Sequence, residues 1–223
     1  MNLRKLELEQ NLNEVKQRIA TAAKSVGRNP ADINLIVVTK TFPITDVEIL
    51  VELGEINFGE NRDQEAAPKA AAVPATWHFQ GQIQSNKIKS IATWADVVHS
   101  ISSVKEILKF AQSSRRHDVF LQVSLDGQPG RGGALPAELD ELAETVNQSS
   151  NLNLMGLMAV APLAVEPEIA FADLAHINQL FQSNFPNSKN LSVGMSGDFE
   201  KAIQYGATHI RVGSSILGSR SPH

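Results

Sequence analysis

The chain contains no cysteine. That absence removes disulfides, thiolate nucleophiles, iron–sulfur clusters and cysteine zinc sites together. Aromatics are scarce, with 2 Trp and a single tyrosine, Tyr205, among 223 residues. No apolar run approaches the roughly 20 residues that a membrane helix needs. An excess of basic charge is also missing: 20 Lys and Arg stand against 24 Asp and Glu, a net charge of −4. That balance argues against non-specific nucleic-acid binding, which basic surface drives. No H-E-x-x-H or related spacing points to a metal, and GRGG at 130–133 lacks the G-K-[ST] ending of a phosphate-binding P-loop. The opening stretch, MNLRKLELEQNLNEVKQ, is too charged for a signal peptide, so a cytoplasmic chain is expected. No Ser/Gly tract or charge block marks a linker, and one domain over 1–223 is expected.

What the sequence does contain is alternation. Leu8, Leu12, Val15, Ile19, Ala22 and Val26 recur every three or four residues, which predicts an amphipathic helix ended by Gly27 and Pro30. INLIVVT (33–39) is a continuous β-branched run of strand length, the pattern of a strand buried on both faces. Thr45-Asp46-Val47-Glu48 then reads as a capping box before a helix. Further strands are expected at 56–59, 77–81, 96–101, 119–125, 152–158, 191–194 and 209–213, each followed by a helical segment. Eight such units after an additional N-terminal helix predict an α/β fold, a (β/α)8 TIM barrel rather than an open sheet.

A barrel of this kind keeps its site at the carboxyl ends of its strands. Those ends carry Thr39-Lys40, Gly59-Glu60-Asn61-Arg62, His78 through Gly81, His99-Ser100, Met158, Gly194-Met195-Ser196-Gly197 and Arg211 through Ser215. Gly194–Gly197 and Gly213–Ser215, at the last two strands, have the makings of a phosphate site. Glycines admit close backbone approach, serines donate hydroxyls, and the following helices present free N–H groups. Lys40 follows a buried strand, where a neutral amine can attack a carbonyl. A lysine and a phosphate cradle in one mouth suggest either pyridoxal phosphate or a sugar-phosphate aldol substrate. Arg211 shares a strand face with Gly213 and needs an acceptor, either a carboxylate or a cofactor ring nitrogen. His78 and His99 are expected to be hydrogen-bonded core histidines.

VVTKTFP, FGENRDQE, WHFQGQIQSNK, VVHSISS, LMGLMAVAP, LSVGMSGDFEKAI and HIRVGSSILGSR run in order from 37 to 220. On these motifs the chain resembles the pyridoxal 5′-phosphate (PLP) homeostasis family. The resemblance implies a fold-type III PLP barrel similar to the N-terminal domain of alanine racemase. It implies that Lys40 holds PLP as a Schiff base, with Val38, Asn61 and His78 beside the ring. It places Ser196, Gly213 and Ser214 on the phosphate and Arg211 at the pyridine nitrogen. Thr39 stands where the family more usually has serine, and LDGQPGRGG (125–133) departs from the family's loop after strand five.

A guanidinium is always charged and only donates. At the ring nitrogen it would leave that nitrogen unprotonated and carbanions poorly stabilised. Racemases of this fold type add a tyrosine from a second domain as a second base, and Tyr205 is expected in the helix after strand seven, away from the mouth. The reading is therefore a monomeric PLP carrier without substantial catalysis, passing PLP to apo-enzymes or answering a regulatory protein partner. The alternatives are a racemase-like PLP enzyme, a lysine-dependent aldolase, and a barrel that only scaffolds interactions.

Overall fold

The computed structural model describes residues 2–128, 132–162 and 164–218. Pro129, Gly130 and Arg131 of the glycine-rich loop, and Ser219 and Arg220 of the last motif, lie outside the described residues. Helix α1 (Leu3–Ser25) opens the chain, its first N–H groups capped by the Asn2 side chain. Eight strands follow: β1 (Asn34–Val38), β2 (Asn57–Glu60), β3 (Thr76–Phe79), β4 (Val97–Ile101), β5 (His117–Gln122), β6 (Leu152–Met158), β7 (Asn190–Met195) and β8 (His209–Val212). Between and after them come α2 (Ile44–Glu52), α3 (Asp63–Ala72), α4 (Ile88–Trp94), α5 (Val104–Phe110), α6 (Leu139–Asn147), α7 (Pro167–Asn184), α8 (Phe199–Gln204) and α9 (Ser214–Leu217).

All strand pairs are parallel, and β8 returns to β1 to close the barrel in sequence order. Closure buries both faces of the strands, which is why β4 and β8 are buried at every position. The expected α/β barrel with its extra N-terminal helix is thus the observed one. One local expectation fails. The helix after β1 starts at Ile44, behind Pro43, with no side-chain cap. Thr45 is therefore the second residue inside the helix rather than its cap, so the Thr45–Glu48 capping box does not form.

Helix α1 buries Leu8, Leu12, Val15, Ile19 and Ala22 and packs on α2, α8 and α9. Arg4 pins it there, donating to both carboxylate oxygens of Asp46 and to the Leu217 carbonyl. Asn11 donates to the Ile216 carbonyl. The extra helix therefore braces the last short helix, whose start forms part of the barrel mouth.

Candidate functional site at the barrel mouth

A cavity of about 540 Å³ opens at the carboxyl ends of the strands, within the size range of small-ligand sites. Its wall brings together Val38 at the end of β1, Lys40 on the turn after it, Asn61 after β2, Ser196 after β7, and Arg211, Gly213 and Ser214 from β8 and beyond. Seven of the eight residues singled out in the sequence therefore share one cavity. The eighth, His78, does not line it. Its Nδ1 is 2.9 Å from His99 Nε2 and its Nε2 is 3.1 Å from Asn57 Oδ1, inside the barrel.

Lys40 sits on a braced turn. Phe42 N–H donates to the Thr39 carbonyl, and Thr41 adopts a positive φ of 69°, a strained conformation for a β-branched residue. Helix α3 holds this turn from both sides of Lys40. The Thr41 N–H donates to Glu65 Oε2 at 3.0 Å, and Lys69 Nζ donates to the Thr39 carbonyl at 2.8 Å. Glu65 and Lys69 are one helical turn apart, so both face the turn. Lys69 also donates to Glu60 Oε1 at 2.7 Å, which accepts the Thr39 hydroxyl at 2.7 Å. This cluster is buried, and burial raises the Glu60 pKa against the opposing pull of Lys69.

The opposite wall is a glycine–serine corner. The Gly213 N–H donates to Ser196 Oγ at 3.1 Å, tying the two loops together. The carboxylate of Asp198 is spent on the Met195 N–H, at 2.6 Å, and shapes the turn that displays Ser196 and Gly197. A Cβ at Gly213 would come within 3.0 Å of the Val38 carbonyl oxygen, so that loop must lie bare against β1. Ser214 opens α9, where the first N–H groups have no partner within the helix.

Arg211 forms the floor. It is buried, and Nη1 donates to the Ser192 carbonyl at 2.7 Å and to Ser192 Oγ at 2.9 Å. Nη2 donates to the Ala159 carbonyl at 2.9 Å. Among the described residues Nε has no protein acceptor. Burial pushes the pKa down to about 10, still charged at neutral pH; the Asp198 carboxylate opposes that shift from a distance, and the Ser192 and Ala159 carbonyls accept from the guanidinium directly.

Sequence reasoning missed Phe42, Gln82 and Val160, and gave no role to the strand-end residues Gln80 and Met195, which also line the wall. Gln80 carried the one available signal, a polar side chain directly before Gly81. Gly81 itself cannot carry a side chain, because a Cβ there would lie 2.1 Å from the Asn61 carbonyl oxygen. Tyr205 caps the C-terminal end of α8 against Phe171 and does not line the cavity.

Comparison with known proteins matches residues 8–221 to the alanine racemase N-terminal domain family. The chain is 38% identical to the pyridoxal phosphate homeostasis protein of Mycobacterium leprae, over 98% of this chain and 96% of that one. It is 39% identical to the protein of the same description from Corynebacterium glutamicum, over 92% and 99%. Among solved structures it is similar to PipY of Synechococcus elongatus with PLP bound (TM-score 0.78, 31% identity, 90% and 100% coverage). Alanine racemase of Clostridium difficile shares the fold (TM-score 0.75, 13% identity), covering 97% of this chain and 57% of that one. The chain therefore belongs to the pyridoxal phosphate homeostasis proteins, within the alanine racemase N-terminal domain family.

Proposed function

We propose that the barrel mouth binds pyridoxal 5′-phosphate reversibly at Lys40, and that the protein is a carrier of this cofactor rather than an enzyme acting through it. The observation that carries the reading is the convergence of an amine, a buried guanidinium and a glycine–serine corner on one cavity. The relatives' description as homeostasis proteins, and the PLP named for the PipY structure, support it.

The residues present fit the group. A Cβ at Gly197 would meet nothing within 4 Å, so no internal contact calls for glycine there. An open backbone beside Ser196 suits a phosphate. Arg211 Nε has no protein acceptor among the described residues, and the buried Gln80 Nε2 also lacks one. Both are donors on the wall, matched to a ligand rich in acceptors.

When bound, the cofactor would supply an aldehyde, toward which the wall presents the Lys40 amine as the group to hold it. The chain's own residues do the rest. Ser196, Gly197, Gly213 and Ser214 hold the phosphate by hydroxyl and backbone donors. Val38 and Asn61 flank the ring. Arg211 donates toward the ring nitrogen and keeps a proton off it. His78 does not line the cavity and has no part in this reading.

The wall supports binding better than turnover. Among the described residues that line it there is no Asp, Glu, His or Tyr. Lys40 is thus the one amine among those lining residues, and racemisation needs a second proton carrier on the opposite face. Such a protein would work as a cytoplasmic monomer that keeps free aldehyde low and passes PLP to apo-enzymes. Borohydride reduction followed by peptide mass spectrometry tests the attachment: the label is expected on Lys40, and a label elsewhere overturns the assignment. Loss of optical rotation from L-amino acids at about 1 s⁻¹ or faster would overturn the carrier reading. Size-exclusion chromatography of the loaded protein tests the monomer.

A further inference from the structure

Below the cavity a row of buried polar side chains crosses the barrel core, and the PLP reading makes no use of it. Asn57 on β2 is 3.1 Å from His78 on β3, which is 2.9 Å from His99 on β4. His99 Nδ1 is 2.9 Å from Ser192 Oγ on β7, and that oxygen accepts from Arg211 Nη1 on β8 at 2.9 Å. The row thus runs from the start of β2 through the core to the residue at the cavity floor.

Its polarity follows from its ends. A guanidinium only donates, so Ser192 Oγ is an acceptor toward Arg211. Ser192 is fully buried, so its hydroxyl proton needs an acceptor inside the protein. His99 Nδ1 is its acceptor. His99 then carries its proton on Nε2 and donates to His78 Nδ1. His78 carries its own on Nε2 and donates to Asn57 Oδ1, a carbonyl oxygen that can only accept. Every hydrogen bond points the same way, from Arg211 to Asn57. Burial holds His78 down to about 3 and His99 well below its ordinary value, so each ring has one donor and one acceptor. His99 is further fixed by stacking on Phe120, centroids 4.6 Å apart and 13° from parallel.

We propose that Asn57, His78, His99 and Ser192 form a one-directional relay that orients the Arg211 guanidinium, and that they are positioning residues for the cofactor ring. With Nη1 tied to Ser192 and Nη2 to Ala159, the plane of the guanidinium is set, which leaves Nε–H and the second Nη2–H for the ring. The relay thereby tunes, from a distance, the electron demand the ring experiences. The inference rests on the PLP reading.

The test loads the full-length protein with PLP and follows the bound chromophore by absorbance as pH is varied, alongside PLP titrations. Ser192→Ala and His99→Phe are expected to raise the chromophore's titration midpoint by about 0.3 to 1.5 units and weaken binding about two- to thirtyfold, the range for side-chain networks. The midpoint rises because a loosened guanidinium no longer disfavours a proton on the chromophore. Asn57→Leu, three side chains from Arg211, is expected to shift it in the same direction, whereas Asn57→Asp keeps the acceptor and stays near wild type. A purely structural role would lower melting temperature and leave the midpoint in place. If Ser192→Ala and His99→Phe titrate like wild type while Arg211→Gln shifts, the relay is refuted and the PLP reading stands. If Arg211→Gln shifts nothing either, the placement of the ring against Arg211 fails and the relay falls with it. Should the core variants not fold, the half-exposed Asn57 pair decides alone.

Discussion

Replacing Lys69 by methionine isolates the ion pair behind Lys40. Lys69 and Glu60 are 7% and 0% exposed. The substitution deletes bonds of 2.7 Å to Glu60 and 2.8 Å to the Thr39 carbonyl. Glu60 Oε2 already lacks a partner, so the Thr39 hydroxyl alone would hold a buried carboxylate. Removing one member of a buried pair costs about 3–5 kcal/mol, which in a chain of this length lowers Tm by about 6–20 °C. The loss depends on pH with a definite sign. Burial raises the Glu60 pKa above its ordinary 4.5, and loss of Lys69 raises it further. The folded variant then holds a proton that the unfolded chain releases. Its penalty is small below pH 4.5, grows as pH rises through the raised value, and is flat above it. Urea denaturation at about pH 5 and about pH 8 should therefore give the larger loss at the higher pH. Adding Glu60→Gln should abolish the difference. A loss under about 1 kcal/mol at the higher pH, or equal losses at both, would refute the reasoning.

Acid should destabilise the protein through its core histidines. His78 is held down to about 3 and His209 to about 4, against 6.5 unfolded. Their contribution is complete above 6.5 and is lost as pH falls toward those values. The expected slope is about 1.4 kcal/mol per pH unit for each histidine, read from denaturation midpoints at constant salt; a flat profile between 6.5 and 4 would contradict it. Gly197→Ala enters open space, so stability should hold within about 0.5 kcal/mol. PLP binding should weaken at least about fivefold, and an unchanged Kd would remove Gly197 from the phosphate corner. Gly81→Ala drives a methyl to 2.1 Å from the Asn61 carbonyl oxygen, and a melting experiment should find a loss of about 3 kcal/mol or more.

The barrel was legible because its signal is local and repeated. Continuous apolar strands such as INLIVVT alternate with amphipathic segments, and that pattern leaves few architectures open. Strand-end chemistry was legible too. The fold rule puts those ends on one face, so Lys40, Asn61, Ser196, Arg211, Gly213 and Ser214 could be collected before any coordinates. Only the closed tertiary structure decided which polar side chains face the cavity and which face one another. His78 and Gln80 lie two residues apart on one segment, yet Gln80 lines the cavity and His78 joins the core relay. Ser192 had no signal at all, since a serine in a strand looks the same whether it meets water or a guanidinium. The Lys69 bracket was equally hidden, because a lysine on an alanine-rich helix reads as solvent-facing until α3 packs it onto the turn at Lys40. Sequence order alone determined the sheet and its rim. Contacts between β4 and β7, and between α3 and the turn after β1, exist only once the sheet has closed and its helices have packed around it.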